Sequence, residues 1–180
     1  MAEKVTLIIG GARSGKSSFA VKLAHQTGSH VLYIATARVL DKEMERRVAA
    51  HKAARPAAWS TLEAPENIST ALKGIPHSYS AILLDCVTLM LGESFSCIPE
   101  DSSEDAFFSA GEDAMADLFA AIDNRPEPWF LVSNEVGMGI VPESRMGRIF
   151  RDVQGRANQR LASLANEVYL MAAGIPLKIK

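Results

Sequence analysis

The 180-residue sequence has only two cysteines, Cys86 and Cys97. Two cysteines in different sequence contexts do not make the disulfide framework of a small secreted domain, so we expect both thiols to be reduced. A basic excess is also lacking, because the formal net charge is −2 at pH 7, and this argues against a general nucleic-acid-binding protein. No apolar run approaches the length that spans a membrane, and residues 1–4 lead into an apolar run without a signal-peptide pattern. These absences predict a cytoplasmic protein with no membrane span and no nucleic-acid partner.

The sequence also lacks an internal repeat, and its bulk composition is ordinary. Hydrophobic residues make up 48% and charged residues 22% of the chain, which is typical of a globular protein. A chain of this length can bury a substantial core in one unit. We therefore predict that residues 1–180 form a single domain.

Short apolar runs alternate with segments of helical character, which predicts an α/β fold. The predicted strands are Val5–Ile9, Val31–Ala35, Ala81–Leu84, Trp129–Val132, Val168–Met171 and Leu177–Ile179. The predicted helices are Lys16–Thr27, Asp41–Ala54, Ile68–Lys73, Glu104–Asp123 and Ser144–Asn166. The first four strands are almost continuously apolar, as in a mostly parallel sheet covered by helices on both faces. We expect a C-terminal hairpin around residues 174–176 and a surface excursion over residues 92–103.

A phosphate-binding loop follows the first predicted strand. Gly10, four intervening residues and then Gly15-Lys16-Ser17 form the P-loop pattern between a strand and a helix. The glycines let successive backbone N–H groups point at phosphate oxygens, and the next helix directs its positive N-terminal dipole at the same anion. Lys16 supplies a charge for the β and γ phosphates, and the Ser17 hydroxyl is placed to ligate Mg²⁺. The sequence therefore predicts a nucleoside triphosphate as ligand.

The strand at residues 81–84 ends in a carboxylate, Asp85. A buried strand that ends in an aspartate is what a Walker B element needs, because the carboxylate emerges beside Mg²⁺. Many strands end in aspartate, so this signal gains its meaning from the P-loop. We predict that Asp85 is the second protein ligand of the magnesium ion.

One histidine lies in unusually cationic company. On a helix that begins near Asp41, steps of four, three and four residues place four side chains on one face: Met44, Val48, His51 and Arg55. Arg47 and Lys52 are also close to His51 in sequence. Cations lower the pKa of a histidine, which keeps the imidazole nucleophilic, and they attract phosphate. His51 is therefore either a core histidine or the acceptor of a phosphoryl or nucleotidyl group, and the chemistry alone leaves both open.

Six motifs, in this order along the chain, resemble those of a known family. They are the P-loop at residues 10–17, residues 33–37, residues 41–59 around His51, residues 83–89 around Asp85, residues 133–143, and residues 148–162. Together they resemble the bifunctional adenosylcobinamide kinase and adenosylcobinamide-phosphate guanylyltransferase of cobalamin assembly. Residues 92–125 carry no motif of this family. The chain departs from the pattern at Met90, where relatives are commonly aromatic, and at residues 92–94.

The resemblance implies a P-loop NTPase fold of the RecA-like kind and two reactions, with GTP and ATP as substrates and Mg²⁺ as cofactor. It implies that His51 is the covalent GMP acceptor and that Lys16 is catalytic. The implied nucleotide contacts are Gly10, Gly11, Ala12, Arg13, Ser14, Gly15, Lys16, Ser17, Ala35, Thr36, Ala37, Lys52, Ala53, Ala54, Arg55, Glu63 and Asp85. The implied partners are adenosylcobinamide, its phosphate and further copies of this chain, as a trimer.

Other P-loop proteins remain as alternatives. A kinase of another small metabolite would share the loop and Asp85 but would not need His51. A regulatory GTPase would need an Asn-Lys-x-Asp motif, which this sequence does not contain. The small size and the negative net charge disfavour a DNA-dependent ATPase. The glycine-containing segment 134–142 follows the carboxyl end of a predicted strand, where ligands bind in parallel sheets. We expect this segment either to cover the corrinoid or to be a loop that only connects two elements.

Overall fold

The computed structural model describes residues 2–38, 41–53 and 55–180, without the side chains of residues 43, 44, 47, 50 and 51. The strands are β1 (Val5–Gly10), β2 (Val31–Ala35), β3 (Ser60–Glu63), β4 (Ala81–Asp85), β5 (Trp129–Asn134), β6 (Glu167–Ala172) and β7 (Ile175–Lys178). The helices are α1 (Lys16–Thr27), α2 (Lys42–Ala53), α3 (Ile68–Ala71), α4 (Val87–Ser94), α5 (Glu104–Asp123) and α6 (Arg145–Leu164).

The strands form one seven-stranded sheet in the order β3-β2-β4-β5-β1-β6-β7. Every neighbouring pair is parallel except β6 and β7, which form an antiparallel hairpin. The predicted hairpin is confirmed, although its turn is at Ala173 and Gly174 and Pro176 already lies in β7. Strand β5 separates β1 from β4, so the strand before the P-loop and the strand before Asp85 are not neighbours. This is the strand arrangement of RecA-like P-loop folds, and it confirms the predicted fold class.

The side chains of the sheet pack into two apolar layers, one on each face, because successive residues of a strand point to opposite faces. On one face Ile8, Tyr33 and Leu83 pack with Ala20 and Ala24 of α1. The opposite face is covered by side chains of α3, α4, α5 and α6. The helices therefore lie on both faces, and all carboxyl ends of the parallel strands meet at one edge of the sheet.

Two elements were not predicted from the sequence. The short strand β3 has four residues that are alternately half-buried and exposed. One residue separates helix α4 from the end of β4, and the excursion expected from residue 92 begins only after Ser94. In the part of the chain that the structure describes, no helix has the length and apolar character needed to cross a membrane.

Candidate nucleotide-binding site

The P-loop connects the carboxyl end of β1 to the first residue of α1. Gly15 has a φ of 93°, a left-handed conformation that favours glycine, and α1 begins at the next residue, Lys16. A Cβ atom on Gly10 would lie 2.6 Å from the carbonyl oxygen of Met171 and 2.8 Å from Oγ of Ser14. The backbone N–H of Gly174 donates to the carbonyl of Ser14 at 3.0 Å, so the turn of the C-terminal hairpin supports the loop. Gly10 is thus required by the close approach of β6, and Gly15 by its left-handed backbone conformation.

Lys16 lies inside the loop rather than on the surface. Its side chain is buried, and its Nζ donates a 2.6 Å hydrogen bond to the carbonyl of Gly11. Burial lowers the pKa of Lys16, while the nearby Cys86 and Asp85 act in the opposite direction. The hydroxyl of Ser14 is buried and has no hydrogen-bond partner among the described residues. An ammonium held by the loop and a buried hydroxyl beside it without a partner among the described residues fit a phosphate group.

The predicted residue Asp85 shares one row of the sheet with two other predicted residues. Ala35 is paired with Asp85 on β4 and with Glu63 on β3. The carboxylate of Asp85 accepts a 2.8 Å hydrogen bond from the Tyr33 hydroxyl, and its charge acts on Lys16. The structure therefore brings Asp85 to the P-loop lysine across the width of β5.

Thr36 follows β2 and is also among the predicted nucleotide contacts. Its hydroxyl donates to the carbonyl of Cys86 and accepts from the backbone N–H of Cys86, both at 2.7 Å. The side chain is buried, and its hydrogen-bonding capacity ties the end of β2 to the segment after β4. The neighbouring Ala37 lies in the loop after β2.

The end of α2 is attached to the same edge of the sheet by cationic side chains. The guanidinium of Arg55 lies over the ring of Tyr33, with Cζ 3.3 Å from the ring centroid. Lys52 donates a 2.8 Å hydrogen bond to Glu63, and this contact lowers the pKa of Glu63. These contacts come from the two ends of the segment 52–55.

Two predicted site residues lie wholly or partly outside the described part of the chain. His51 lies in α2 directly before Lys52, but its side chain is outside the described part of the chain. Ala54 also lies outside the described residues. The predicted roles of both residues remain predictions.

A buried polar network holds the carboxyl end of β5. Ser133 donates to Oδ1 of Asn158 at 2.6 Å, and Gln154 donates to both of these residues. The Asn158 amide donates to the carbonyl of Asn134, whose N–H donates to the hydroxyl of Thr88. Sequence reasoning missed this network, although Gln and Asn on the apolar face of a predicted helix are a signal that could have found it.

An exposed apolar segment leaves this edge beside the P-loop. The N–H of Glu135 donates to the carbonyl of Gly10 at 2.9 Å, which fixes the start of the segment. Beyond that point Met138 is 79% exposed and Ile140 is 97% exposed. We call residues 136–141 the apolar loop, and it lies next to the nucleotide site.

The donor atoms suit a hard cation that is shared with a ligand. Ser17 and Asp85 offer hydroxyl and carboxylate oxygens, the ligands that Mg²⁺ takes in combination with substrate phosphates. Among the described residues there is no cluster of three or more His, Cys, Asp or Glu side chains that could hold a metal ion alone. The site fits a magnesium ion that arrives with a triphosphate.

Strand β1, the P-loop and α1 form a cradle around a buried lysine, and β4, two strands away in the sheet, ends in an aspartate. Together these features define a P-loop nucleotide-binding protein. The chain belongs to the cobinamide kinase / cobinamide phosphate guanyltransferase family, CobU, whose family model matches residues 6–179. It is therefore an enzyme of cobalamin biosynthesis with kinase and nucleotidyltransferase activity, as the resemblance of its motifs implied.

Curated relatives cover nearly the whole chain. The chain is 46% identical over 179 residues to the bifunctional adenosylcobalamin biosynthesis protein CobU of Salmonella typhimurium, covering 97% of this chain and 98% of the relative. It is 44% identical, with the same coverage, to the protein of that name from Escherichia coli. It is 39% identical over 174 residues to CobP of Pseudomonas aeruginosa, covering 97% and 96% of the two chains. Among solved structures, the RadB recombinase matches with a TM-score of 0.48 and 14% identity over 93% of this chain and 73% of that chain.

Proposed function

We propose that the chain phosphorylates adenosylcobinamide with ATP or GTP and then transfers GMP from GTP to the phosphorylated product through His51. Both reactions use the nucleotide site built by the P-loop, Asp85 and the end of α2. The products are adenosylcobinamide-GDP and pyrophosphate.

In the kinase reaction the enzyme mainly positions and stabilises charge. The primary alcohol oxygen of the cobinamide side arm attacks the γ-phosphorus, the bond from that phosphorus to the β–γ bridging oxygen breaks, and the hydroxyl proton passes to solvent. Lys16 leaves the Gly11 carbonyl for the phosphate oxygens, and the Ser14 hydroxyl and the loop N–H groups bind the same oxygens. A magnesium ion held by Ser17 and Asp85 would neutralise charge on the phosphates.

In the guanylyltransfer reaction an imidazole nitrogen of His51 attacks the α-phosphorus of GTP. A phosphorus–nitrogen bond forms, the bond to the α–β bridging oxygen breaks, and pyrophosphate leaves. A phosphate oxygen of the cobinamide phosphate then attacks the same phosphorus and releases His51. The covalent intermediate divides one difficult displacement into two easier ones.

One observation carries the assignment of both reactions to a single site. The Arg55 guanidinium stacks on Tyr33, and Tyr33 donates to Asp85. Arg55 follows His51 by four residues, so the segment after the nucleophile is attached to the carboxylate that serves the P-loop. A kinase of a different metabolite would share the P-loop and Asp85 but would not need His51.

We further propose that the apolar loop contacts the corrinoid. The acceptor alcohol must reach the γ-phosphate at the carboxyl edge of the sheet, where the loop begins beside Gly10. Exposed apolar side chains such as Met138 and Ile140 suit the large apolar surface of a corrin ring. A trimeric assembly is proposed from the family resemblance alone.

Incubation with GTP labelled at the α-phosphate tests the proposal. We expect a labelled protein adduct that is labile in acid and stable in base, as a phosphorus–nitrogen bond requires, and we expect its label to move to adenosylcobinamide phosphate on addition. GTP labelled at the γ-phosphate is the matched control and should leave no label on the protein. Phosphorylation of adenosylcobinamide without any α-label on the protein would indicate a kinase that forms no GMP adduct, and it would contradict the proposal.

A further inference from the structure

Tyr33 makes two contacts that no motif assigned to it. It lies in the middle of β2, paired with Leu83, and its ring is buried in the apolar layer under α1. Its hydroxyl nevertheless reaches Oδ2 of Asp85 at 2.8 Å, since Tyr33 and Asp85 point to the same face of the sheet.

The other contact of Tyr33 is with a half-buried cation. Arg55 lies with Cζ 3.3 Å above the ring, and its Nη1 donates to Oγ1 of Thr61 at 3.3 Å. The Nε of Arg55 is buried and has no hydrogen-bond partner among the described residues. A guanidinium that is supported by a ring face and retains an unsatisfied donor is suited to an incoming anion.

We propose that Tyr33 is a positioning residue that couples the metal-binding carboxylate to the anion-binding arginine. The hydroxyl fixes the orientation of the Asp85 carboxylate, and the ring fixes the guanidinium of Arg55. A phenylalanine would fill the core equally well, so the hydroxyl has a use that packing does not explain. This inference rests on the proposed function, because it assigns Asp85 to the metal and Arg55 to the nucleotide.

Two substitutions separate the two contacts. Tyr33→Phe removes the hydroxyl and keeps the ring under Arg55, whereas Tyr33→Leu removes both contacts. Arg55→Met removes the cation and keeps Tyr33, which preserves a test of the ring contact if Tyr33→Leu does not fold. Tyr79→Phe is the matched control, because Tyr79 is a half-buried tyrosine that contacts His30, away from the site.

The measurement is binding, without turnover. Binding of Mn²⁺ is followed by electron paramagnetic resonance in the presence of a GTP analogue with a methylene bridge between the α and β phosphates. Binding of the same analogue without metal is measured by calorimetry. Loss of a hydrogen bond to a charged carboxylate should weaken Mn²⁺ binding of Tyr33→Phe about tenfold. Its metal-free analogue binding should equal that of the wild type, whereas Tyr33→Leu or Arg55→Met should weaken metal-free binding as well.

The outcomes are distinct. Wild-type Mn²⁺ affinity in Tyr33→Phe, or an equal loss in Tyr79→Phe, would overturn the role of the hydroxyl. Wild-type metal-free affinity in a folded Tyr33→Leu protein, or in Arg55→Met, would overturn the role of the ring. The proposed function fails separately, if the wild-type protein forms no GMP adduct, and that result does not depend on any of these affinities.

Discussion

Lys16 is the residue at which the fold concentrates charge inside the P-loop. Its ammonium already bonds a loop carbonyl and is mostly shielded from water. We expect Lys16→Ala to lower kcat of the kinase reaction by roughly 100-fold or more, because a preorganised charge on the phosphates is lost. Steady-state phosphorylation of adenosylcobinamide measures this. Lys22→Ala, at an exposed position of the same helix, is the control, and near-normal turnover of a folded Lys16→Ala protein would contradict the assignment.

The two cysteines should differ sharply in reactivity. Burial raises the pKa of the Cys86 thiol to about 11, whereas Cys97 is exposed. The thiolate is the reactive form, so iodoacetamide at pH 8 should alkylate Cys97 in the native protein and Cys86 only after unfolding. Peptide mass spectrometry reads the two sites separately. Alkylation of native Cys86 at the rate of Cys97 would show that its environment is different from the one described.

At this scale the sequence reveals residues that belong to motifs and hides residues that act through tertiary contacts. Lys16 and Asp85 could be predicted because their neighbours in sequence define them. Tyr33 could not, since a tyrosine in the middle of an apolar strand reads as core until the partner of its hydroxyl is known.

The contact between α5 and α6 depends on the absence of a side chain. A Cβ atom on Gly111 would lie 2.5 Å from Cγ1 of Val153. Valine in a helix has few alternative rotamers, so Gly111→Ala should destabilise the protein by about 1–3 kcal/mol despite the higher helix propensity of alanine. Denaturant unfolding measures the loss. Val153→Ala should relieve the clash, and a double variant whose loss equals the sum of the single losses would contradict this reason.

The apolar loop offers a prediction about substrate binding. Met138→Ser combined with Ile140→Ser should raise KM for adenosylcobinamide and leave KM for the nucleotide near its wild-type value, because only the acceptor is proposed to touch the loop. Leu164→Ser, at an exposed apolar position at the end of α6, is the control. An unchanged KM for the acceptor would show that the loop only connects β5 to α6 and does not bind the acceptor.

Elements with clear periodicity were predictable, and short ones were not. Helix α5 has the predicted bounds, and β2 was placed correctly. Strand β3 was missed because four alternately half-buried and exposed residues at the sheet edge carry too little pattern to distinguish them from a loop. Helix α4 was missed because its eight residues are too few to show a clear helical periodicity.

At the scale of the whole molecule, the order of the strands in the sheet arranges the site residues, and no local sequence pattern indicates that order. The sequence places a P-loop and an aspartate at the ends of two strands, but only the sheet shows that β5 lies between them. The hairpin turn that supports the P-loop lies some 160 residues from it along the chain. Such contacts depend on pairings between distant segments, which sequence periodicity does not encode.

In the proposed function, one site performs both reactions and His51 alone carries the GMP. Intact-protein mass spectrometry after exposure to GTP and Mg²⁺, beside a kinase assay on the same preparation, tests it most directly. We predict a GMP adduct on the wild-type protein and none on His51→Asn, which retains measurable phosphorylation of adenosylcobinamide. The matched control is His77→Asn, at an exposed histidine outside the motif, which should form the adduct normally. A GMP adduct on His51→Asn would contradict the account, and so would loss of both activities in a folded His51→Asn protein.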